Sequence, residues 1–441
     1  MILLTGLLSL SLTTQVATGL VQTQPATAHA VESGQRPSSR QETDTPRSYE
    51  IGHLRHLHWL PTKDGVQRLA TVARVVTGTD LRSTAHATPR ATLVQIRDIA
   101  GVLEAQLSVP FDLLPVNSWT HALTWRVIQL ESGLALALVD RKGQRFHLLH
   151  FTSGEPLAAS RSAMRLLDVR QQAAGAECLV ESDEGLERLV IRADGKAVTA
   201  ATLATGLDKI GAASFVSTFG TAVTPADDVW ASGWKDGELA IVRLGAEEPH
   251  PILLKLAVTP TRGTKLRLDA TRRAGRTWLA IGNPNYRSGT GRIAVAEVLD
   301  DEVKILWDGR PDAEMIGDMW DQRDYGQCVA FVPDADGDGV PDLIVSGPWS
   351  WVDTCVDLLS VAGGRRLFQD TAMRVHATGH SLDISADGER VLLGGADWRD
   401  YPENLTHTGI GRVLNTSDLK GEVRIVIAPT EIDPAAKRTM K

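Results

Sequence analysis

Short strand-like runs, scarce helical periodicity and a repeat of apolar runs ending in glycine predict an all-β fold. Such runs include TWRVIQL (124–130), LALALV (134–139), FHLLHF (146–151) and VRIVI (423–427), each bounded by turn residues. Because the repeat recurs about every 50 residues, it is typical of propeller blades with four strands each. We therefore expect residues 51–430 to form a β-propeller with seven blades of four antiparallel strands.

The repeat is followed through the glycines that end apolar runs. These are Gly185, Gly233, Gly282, Gly347 and Gly395, and Gly143 continues the frame upstream. The interval before Gly347 is longer than the others, so we place its additional residues in the acidic stretch 312–324.

The N-terminus differs in composition from the rest of the chain. Residues 2–12 (ILLTGLLSLSL) are apolar, and two sites with small residues, Ala17-Thr18-Gly19 and Ala28-His29-Ala30, are possible cleavage sites. This pattern predicts a signal peptide over residues 1–30 and a secreted, cell-envelope or periplasmic protein. No Lys or Arg precedes the apolar run, so a flexible or membrane-anchored apolar terminus is the alternative. We expect residues 31–50 to be a disordered polar linker and residues 431–441 a C-terminal tail.

Composition narrows the possible partners. The formal net charge is -8 and no Lys/Arg-rich block is present, which argues against a nucleic-acid surface. No apolar stretch after the signal peptide approaches the ~20 residues that a membrane-spanning helix needs.

Cys178, Cys328 and Cys355 are an odd set, so we predict buried thiols and not a disulfide framework.

The stretch YGQCVAFVPDADGDGVPDLIVSGPWS (325–350) is the most informative part of the chain. Calcium prefers six to eight oxygen ligands, and carboxylates at alternating positions of a tight turn supply them. The predicted ligands, at positions one, three, five, seven and nine of the loop, are Asp334, Asp336, Asp338, the carbonyl of Val340, and Asp342. An EF-hand needs a Glu at position twelve, where this chain has Val345, and it needs flanking helices in place of these strand-like runs.

These residues resemble an FG-GAP repeat, as found in the propeller of integrin α-chains. The resemblance comprises Tyr325-Gly326, the Asp-rich loop and the run DLIVSGP (342–348). It implies a seven-bladed propeller, calcium in the loop between the first two strands of a blade, and a function in adhesion, glycan binding or assembly. It is clearest over residues 215–430, whereas residues 51–210 show strands without the motif.

Three other clusters are candidate sites with simpler alternatives. His53, His56 and His58 could suggest a metal site, but on a strand His56 and His58 point to one face and His53 points to the other. The acidic residues Asp312, Glu314, Asp318, Asp321 and Asp324 fit a second cation site, a binding rim or a solvated loop. The residues Trp320, Trp349, Trp351 and Trp398 suit either sugar or protein contact at loop ends or packing between blades.

The sequence offers no catalytic signature. It has no Gly-x-Ser-x-Gly elbow, no phosphate-binding glycine loop and no HExxH motif. We therefore expect a calcium-dependent binding module for a protein or glycan partner, with no assigned catalytic residues. The alternative is a propeller-fold hydrolase or lyase that acts on polysaccharide, for which carboxylates facing a central channel would be the indication.

Overall fold

The computed structural model describes the chain in segments. They are residues 47–60, 66–78, 91–111, 113, 124–140, 142–173, 175–196, 198–218, 228–245, 249–256, 266–284, 291–299, 302–309, 325–347, 353–373, 381–397, 408–420, 423–427 and 430–432. The predicted signal peptide, the acidic stretch 312–324 and the four loop tryptophans lie outside these residues, as do the side chains of His53 and His56.

The described strands fall into consecutive groups of four. The first group is β1 (Arg47–Trp59), β2 (Arg68–Gly78), β3 (Ala91–Asp98) and β4 (Leu103–Val109). The second is β5 (Trp125–Leu130), β6 (Gly133–Asp140), β7 (Arg145–His150) and β8 (Arg161–Ser162). The third is β9 (Arg165–Gln172), β10 (Gly175–Ser182), β11 (Gly185–Arg192) and β12 (Val198–Leu203). The fourth is β13 (Lys209–Ser217), β14 (Val229–Lys235), β15 (Glu238–Leu244) and β16 (Ile252–Leu253).

Three further groups and a final strand follow. The fifth group is β17 (Arg267–Arg273), β18 (Arg276–Asn283), β19 (Arg292–Leu299) and β20 (Glu302–Gly309). The sixth is β21 (Cys328–Val332), β22 (Asp342–Gly347), β23 (Asp353–Leu359) and β24 (Arg366–Met373). The seventh is β25 (Ser381–Ile384), β26 (Arg390–Asp397), β27 (Thr408–Asn415) and β28 (Val423–Ile427), and β29 (Thr430–Ile432) comes last.

Within each group the strands pair antiparallel in chain order, so each group is a four-stranded meander. The fourth and fifth meanders join, because β13 pairs parallel with β17 at Val216–Ala270 and Ser217–Thr271. The last strand, β29, pairs antiparallel with the start of β1. The described residues contain no helix. The predicted all-β class and antiparallel organisation in sheets of four strands are therefore confirmed.

The first strands of neighbouring meanders contact one another in an unbroken cycle. Contacts join β5 to β9, β9 to β13, β13 to β17, β17 to β21, β21 to β25 and β25 to β1. The remaining step is made by His58 of β1, whose Nε2 accepts the backbone N–H of Val127 of β5 at 3.0 Å. The meanders are thus arranged around a closed ring of first strands, which is the arrangement of a β-propeller.

Buried apolar clusters lie between successive meanders. On β26, Leu393 packs toward the sixth meander with Ile344, whereas its neighbour Leu392 packs toward the first meander with Leu69. Both faces of the strand are covered, which explains why the run VLL in residues 391–393 shows no alternation of apolar and polar residues. Full burial of one such side chain contributes about 1.5–3 kcal/mol, so these clusters hold adjacent meanders together.

The glycine frame predicted from the sequence is correct in part. Gly233, Gly282 and Gly347 lie on second strands, and Gly395 does as well. Gly185 instead begins the third strand β11 with a φ of 113°, so its assignment to the same frame is wrong. Glycine is needed here either for a turn with positive φ or for a close approach between two backbones. Gly282 is an example of the second kind, because a Cβ there would lie 2.1 Å from the carbonyl oxygen of Gly326. Spacing along the sequence does not distinguish the two kinds of glycine.

Both predicted ends of the repeat region differ from the observed strands. The first strand begins at Arg47, inside the segment 31–50 expected to be a linker, and β29 reaches Ile432 inside the expected tail. The two segments pair with each other at Ser48–Ile432, Tyr49–Glu431 and Glu50–Thr430. Among the described residues, no helix is long and apolar enough to cross a membrane.

Candidate functional site

The Asp-rich loop, residues 334–342, joins β21 to β22, the first two strands of the sixth meander. Its base is closed by the antiparallel pair Val332–Asp342. Gly337 and Gly339 have φ values of 78° and 90°, and these positive values allow the chain to turn back on itself. The loop therefore lies between two strands, as the sequence predicts, and not between helices.

Three carboxylates converge in this loop. Oxygens of Asp334, Asp336 and Asp338 all lie within 4.8 Å of one another. Asp334 Oδ1 accepts the N–H of Gly337 at 2.7 Å, and Asp334 Oδ2 accepts the N–H of Gly339 at 2.8 Å. These hydrogen bonds hold the loop closed around the carboxylates, so the cluster is built into the backbone conformation.

Asp342, the fourth predicted carboxylate ligand, lies outside this group of three and is completely buried. Its Oδ2 accepts the N–H of Ala335 at 2.7 Å, whereas its Oδ1 has no hydrogen-bond partner. Burial raises the pKa of Asp342 to about 7, and the negative charges of Asp336 and Asp338 contribute to this shift. A buried carboxylate oxygen without a partner costs on the order of 1–3 kcal/mol or more, and a bound cation removes that cost.

Val340, the fifth predicted ligand, also lies in the loop. Its side chain is partly buried against the cluster that contains Phe331 and Leu343. Its backbone N–H donates to Asp338 Oδ1 at 2.8 Å.

Two arginines neutralise part of the loop charge. Arg273 Nη1 lies 3.3 Å from Asp334 Oδ2, and Arg365 Nη2 lies 3.0 Å from Asp336 Oδ2. The arginine side chains are 49% and 66% exposed, whereas those of Asp334 and Asp336 are only 11% and 10% exposed. Each of these two carboxylates is thus largely shielded from water and paired with an exposed arginine side chain.

The donor set fits calcium. Carboxylate oxygens gathered in one tight loop are the ligands that Ca²⁺ prefers. Asp342 Oδ1, which has no hydrogen-bond partner, is available as such a ligand. Asp334, Asp336, Asp338, Asp342 and the carbonyl of Val340 would hold the ion. Bound calcium would supply positive charge and would fix the loop conformation.

A second group of carboxylates was missed by the sequence reasoning. Asp168, Asp269 and Asp383, here called the ring carboxylates, lie on the first strands β9, β17 and β25. Each accepts the backbone N–H of the next first strand: Asp168 from Phe215 at 2.9 Å, Asp269 from Phe331 at 2.7 Å, and Asp383 from Trp59 at 2.7 Å. The available signal was the repeated Leu-Asp followed by Val, Ala or Ile at residues 167–169, 268–270 and 382–384.

The ring carboxylates influence one another electrostatically. Burial raises the pKa of Asp269 to about 7, and the negative charges of Asp168 and Asp383 contribute. Burial also raises the pKa of Asp168 and of Asp383, while Arg126, 3.0 Å from Asp383 Oδ2, opposes the shift at Asp383. All three residues lie on first strands and keep partial solvent exposure.

The histidine cluster does not form a metal site in the part of the chain that is described. His58 is buried and its Nε2 accepts the N–H of Val127, which requires that nitrogen to be unprotonated. Burial and the nearby Arg126 lower the pKa of His58 well below its usual value, in agreement with this role.

No known protein family and no curated protein sequence matches this chain. Several solved structures of the β-propeller type resemble it. Dihydro-heme d1 dehydrogenase NirN in complex with DHE has 12% identity and a TM-score of 0.44, covering 90% of this chain and 76% of that one. Hydrazine synthase of Kuenenia stuttgartiensis has 10% identity and a TM-score of 0.47, covering 88% and 100%. BBS1N in complex with ARL6DN has 12% identity and a TM-score of 0.42, covering 88% and 99%. At such identities and TM-scores these similarities assign neither family nor function.

Proposed function

We propose that this chain is an exported, calcium-binding, seven-bladed β-propeller that serves as a binding, adhesion or assembly module for a protein or glycan partner. The observation that carries the calcium proposal is the buried, unpartnered Oδ1 of Asp342 beside the converging carboxylates of Asp334, Asp336 and Asp338. The FG-GAP resemblance of the same loop supports the recognition role.

The organisation of the strands supports the blade number. Seven meanders of four strands follow one another, and their first strands close a ring within the described residues. The cluster of Leu57, Trp59 and Leu69 with Leu392 and Val413 joins the seventh meander to the first, as ring closure requires. A closed ring of packed sheets is a rigid support for the loops at its ends.

Calcium would order one end of that support. In a four-stranded meander, the turns between strands one and two and between strands three and four lie at the same end. The Asp loop and the turn that carries Arg365 therefore share an end of the sixth meander, and their side chains meet there. We expect a partner to contact this end, because calcium fixes the conformation of its loops.

The calcium site can be tested by titration calorimetry with the purified mature protein. Wild type should bind one Ca²⁺ with a Kd of about 10⁻⁴–10⁻³ M, as extracellular modules do. Asp336→Ala and Asp342→Asn should abolish the heat signal, whereas Asp194→Asn, in an exposed turn of the third meander, should bind as wild type does. Absence of calcium binding by folded wild type would contradict the proposal.

Partner and export need separate experiments. A pull-down from a protein extract and a glycan array, each in calcium and then in chelator, should give a ligand that depends on calcium.

Mass spectrometry of the mature protein from its own cell should place the N-terminus between residues 20 and 31. Intact Met1 in a cytosolic fraction would contradict export.

A second candidate function is a hydrolase or lyase that acts on polysaccharide. The observation that favours it is Asp269, a partly exposed residue of the first strand β17 whose pKa of about 7 suits a general acid. Turnover of a polysaccharide by wild type and its loss in Asp269→Asn, with an unchanged fold, would establish this alternative. The hydrogen bond from Phe331 to Asp269 favours a structural role instead.

A further inference from the structure

Arg273 and Arg365 pair with carboxylates of the Asp loop. We infer that Arg273 and Arg365 compete with calcium for the loop carboxylates, so that calcium binding releases both guanidinium groups. This inference rests on the calcium site proposed above. It assigns to two specific side chains the control of calcium affinity and of a contact between neighbouring meanders.

Both arginines contact carboxylate oxygens that calcium would coordinate. Arg365 Nη2 lies 3.0 Å from Asp336 Oδ2, and Asp336 Oδ1 already accepts the N–H of Asp338 at 3.2 Å. Arg273 Nη1 lies 3.3 Å from Asp334 Oδ2, which also accepts the N–H of Gly339. A calcium ion drawn into the cluster must therefore take oxygen lone pairs that now face a guanidinium.

The exchange costs little on the arginine side. Both guanidinium side chains are about half exposed or more, so they can turn into water without losing a buried environment. Exposed ion pairs of this kind contribute little, because water and salt screen them. Calcium should win the competition, but with an affinity lowered by the arginines.

The two arginines come from different parts of the ring. Arg273 ends β17 in the fifth meander, whereas the loop and Arg365 belong to the sixth. The Arg273–Asp334 pair is thus a link between meanders, and its release would detach the β17–β18 turn from the loop. Calcium would then free two cationic side chains at the same end of the propeller where a partner is expected.

Residue-resolved arginine modification measures the release directly. Phenylglyoxal should modify Arg273 and Arg365 at least about threefold faster in 5 mM Ca²⁺, a saturating level at the expected affinity, than in chelator or in Mg²⁺, as read from peptide mass spectra. Arg276 is the internal control, because it lies in the same turn but pairs with Glu297 at 2.8 Å. Equal rates with and without calcium, or protection by calcium, would overturn the inference.

Calcium titration of variants provides the second readout. Arg273→Gln and Arg365→Gln should each tighten calcium binding by about two- to fivefold, and the double variant by more. Arg276→Gln should leave the affinity unchanged; an equal gain there would show a general charge effect and overturn the specific competition. Failure of wild type to bind calcium refutes the proposed calcium site, whereas wild-type binding with unaltered affinities in the arginine variants refutes this inference alone.

Discussion

The backbone N–H of Phe331 donates a 2.7 Å hydrogen bond to Asp269 Oδ2, and this bond crosses from the sixth meander to the fifth. Asp168 with Phe215 and Asp383 with Trp59 repeat the same relationship two meanders before and two meanders after. Between these positions, β13 and β17 pair directly through their backbones. Side-chain carboxylates therefore supply hydrogen bonds between first strands where backbone pairing does not.

Removal of this acceptor should destabilise the protein. Asp269→Ala leaves the N–H of the buried Phe331 without its partner, so we expect the free energy of unfolding to fall by about 1–3 kcal/mol. Asp269→Asn keeps a side-chain acceptor and should cost less. Urea unfolding at pH 7 measures both, with Asp194→Ala as the control, because that exposed carboxylate accepts the N–H of Lys196 where water can replace it. An equal loss of stability in the control and in Asp269→Ala would show that the hydrogen bond from Phe331 to Asp269 contributes no more than an exposed one.

The same carboxylate predicts a pH dependence. An Asp in an unfolded chain titrates near pH 3.9, whereas burial and the charges of Asp168 and Asp383 raise the folded-state pKa of Asp269 to about 7. The folded state thus binds the proton more tightly, and its stabilising contribution is present below about pH 4 and is lost as the pH rises through about 7.

We therefore expect the difference in unfolding free energy between wild type and Asp269→Asn, which cannot titrate, to shift in favour of the variant as the pH rises from 5 to 8, whatever the cost of the substitution at pH 5. Because Asp269 keeps some solvent exposure and lies two residues from Arg267, the relative gain should be on the order of 1–2 kcal/mol. Urea midpoints of both proteins at half-unit pH steps test this. Parallel stability curves across that range would contradict the raised pKa.

The sequence predicted most of the fold because its periodicity is local. The run VRIVI at residues 423–427 coincides with β28, and the run at residues 134–139 lies within β6, since apolar runs ended by turn residues have few alternatives to strands. The role of Gly185 was not predictable in this way, because a turn glycine and a glycine at a close approach look alike in one sequence.

Contacts within the Asp loop were predictable from the sequence, whereas contacts between residues distant in sequence were not. Asp334, Asp336 and Asp338 are neighbours in sequence, so their convergence follows from loop geometry. Arg273 lies about sixty residues from its partner Asp334, and Asp383 is even more distant from Trp59. Such contacts depend on ring closure, and spacing alone does not encode which first strands become neighbours.

The cysteines of the sixth meander should remain reduced. Cys328 lies on β21 and Cys355 on β23, and β22 separates the two strands, as the sequence predicts. Strands one and three of a sheet are ~10 Å apart, beyond the ~7 Å limit for a disulfide. Burial raises the pKa of the Cys328 thiol and of the Cys178 thiol, so both should react slowly while the protein is folded.

Differential alkylation tests both parts of this prediction. Iodoacetamide should label the Cys178 and Cys328 peptides in urea but only marginally in the native protein. Non-reducing peptide maps should contain no Cys328–Cys355 cross-link. A cross-linked peptide would mean that the separation of β21 and β23 is smaller than their order in the sheet implies.

Calcium should stabilise the loop more than the whole chain. With a Kd of about 10⁻⁴–10⁻³ M, 1 mM free Ca²⁺ adds on the order of 0.4–1.4 kcal/mol through mass action. Because the apolar clusters between meanders persist without the ion, chelation should lower Tm modestly and leave the propeller folded. The effect should concentrate at residues 334–342, where four carboxylates repel one another when no cation neutralises them.

Limited proteolysis should therefore cut this loop faster in chelator than in calcium, while cleavage elsewhere stays unchanged. Asp336→Ala should show the fast cleavage in both conditions, because it has lost the ion and not the fold, and Asp194→Ala should behave as wild type. If wild type and Asp336→Ala melt and are cleaved identically with and without calcium, the loop is a polar turn and the calcium-dependent binding module loses its main support.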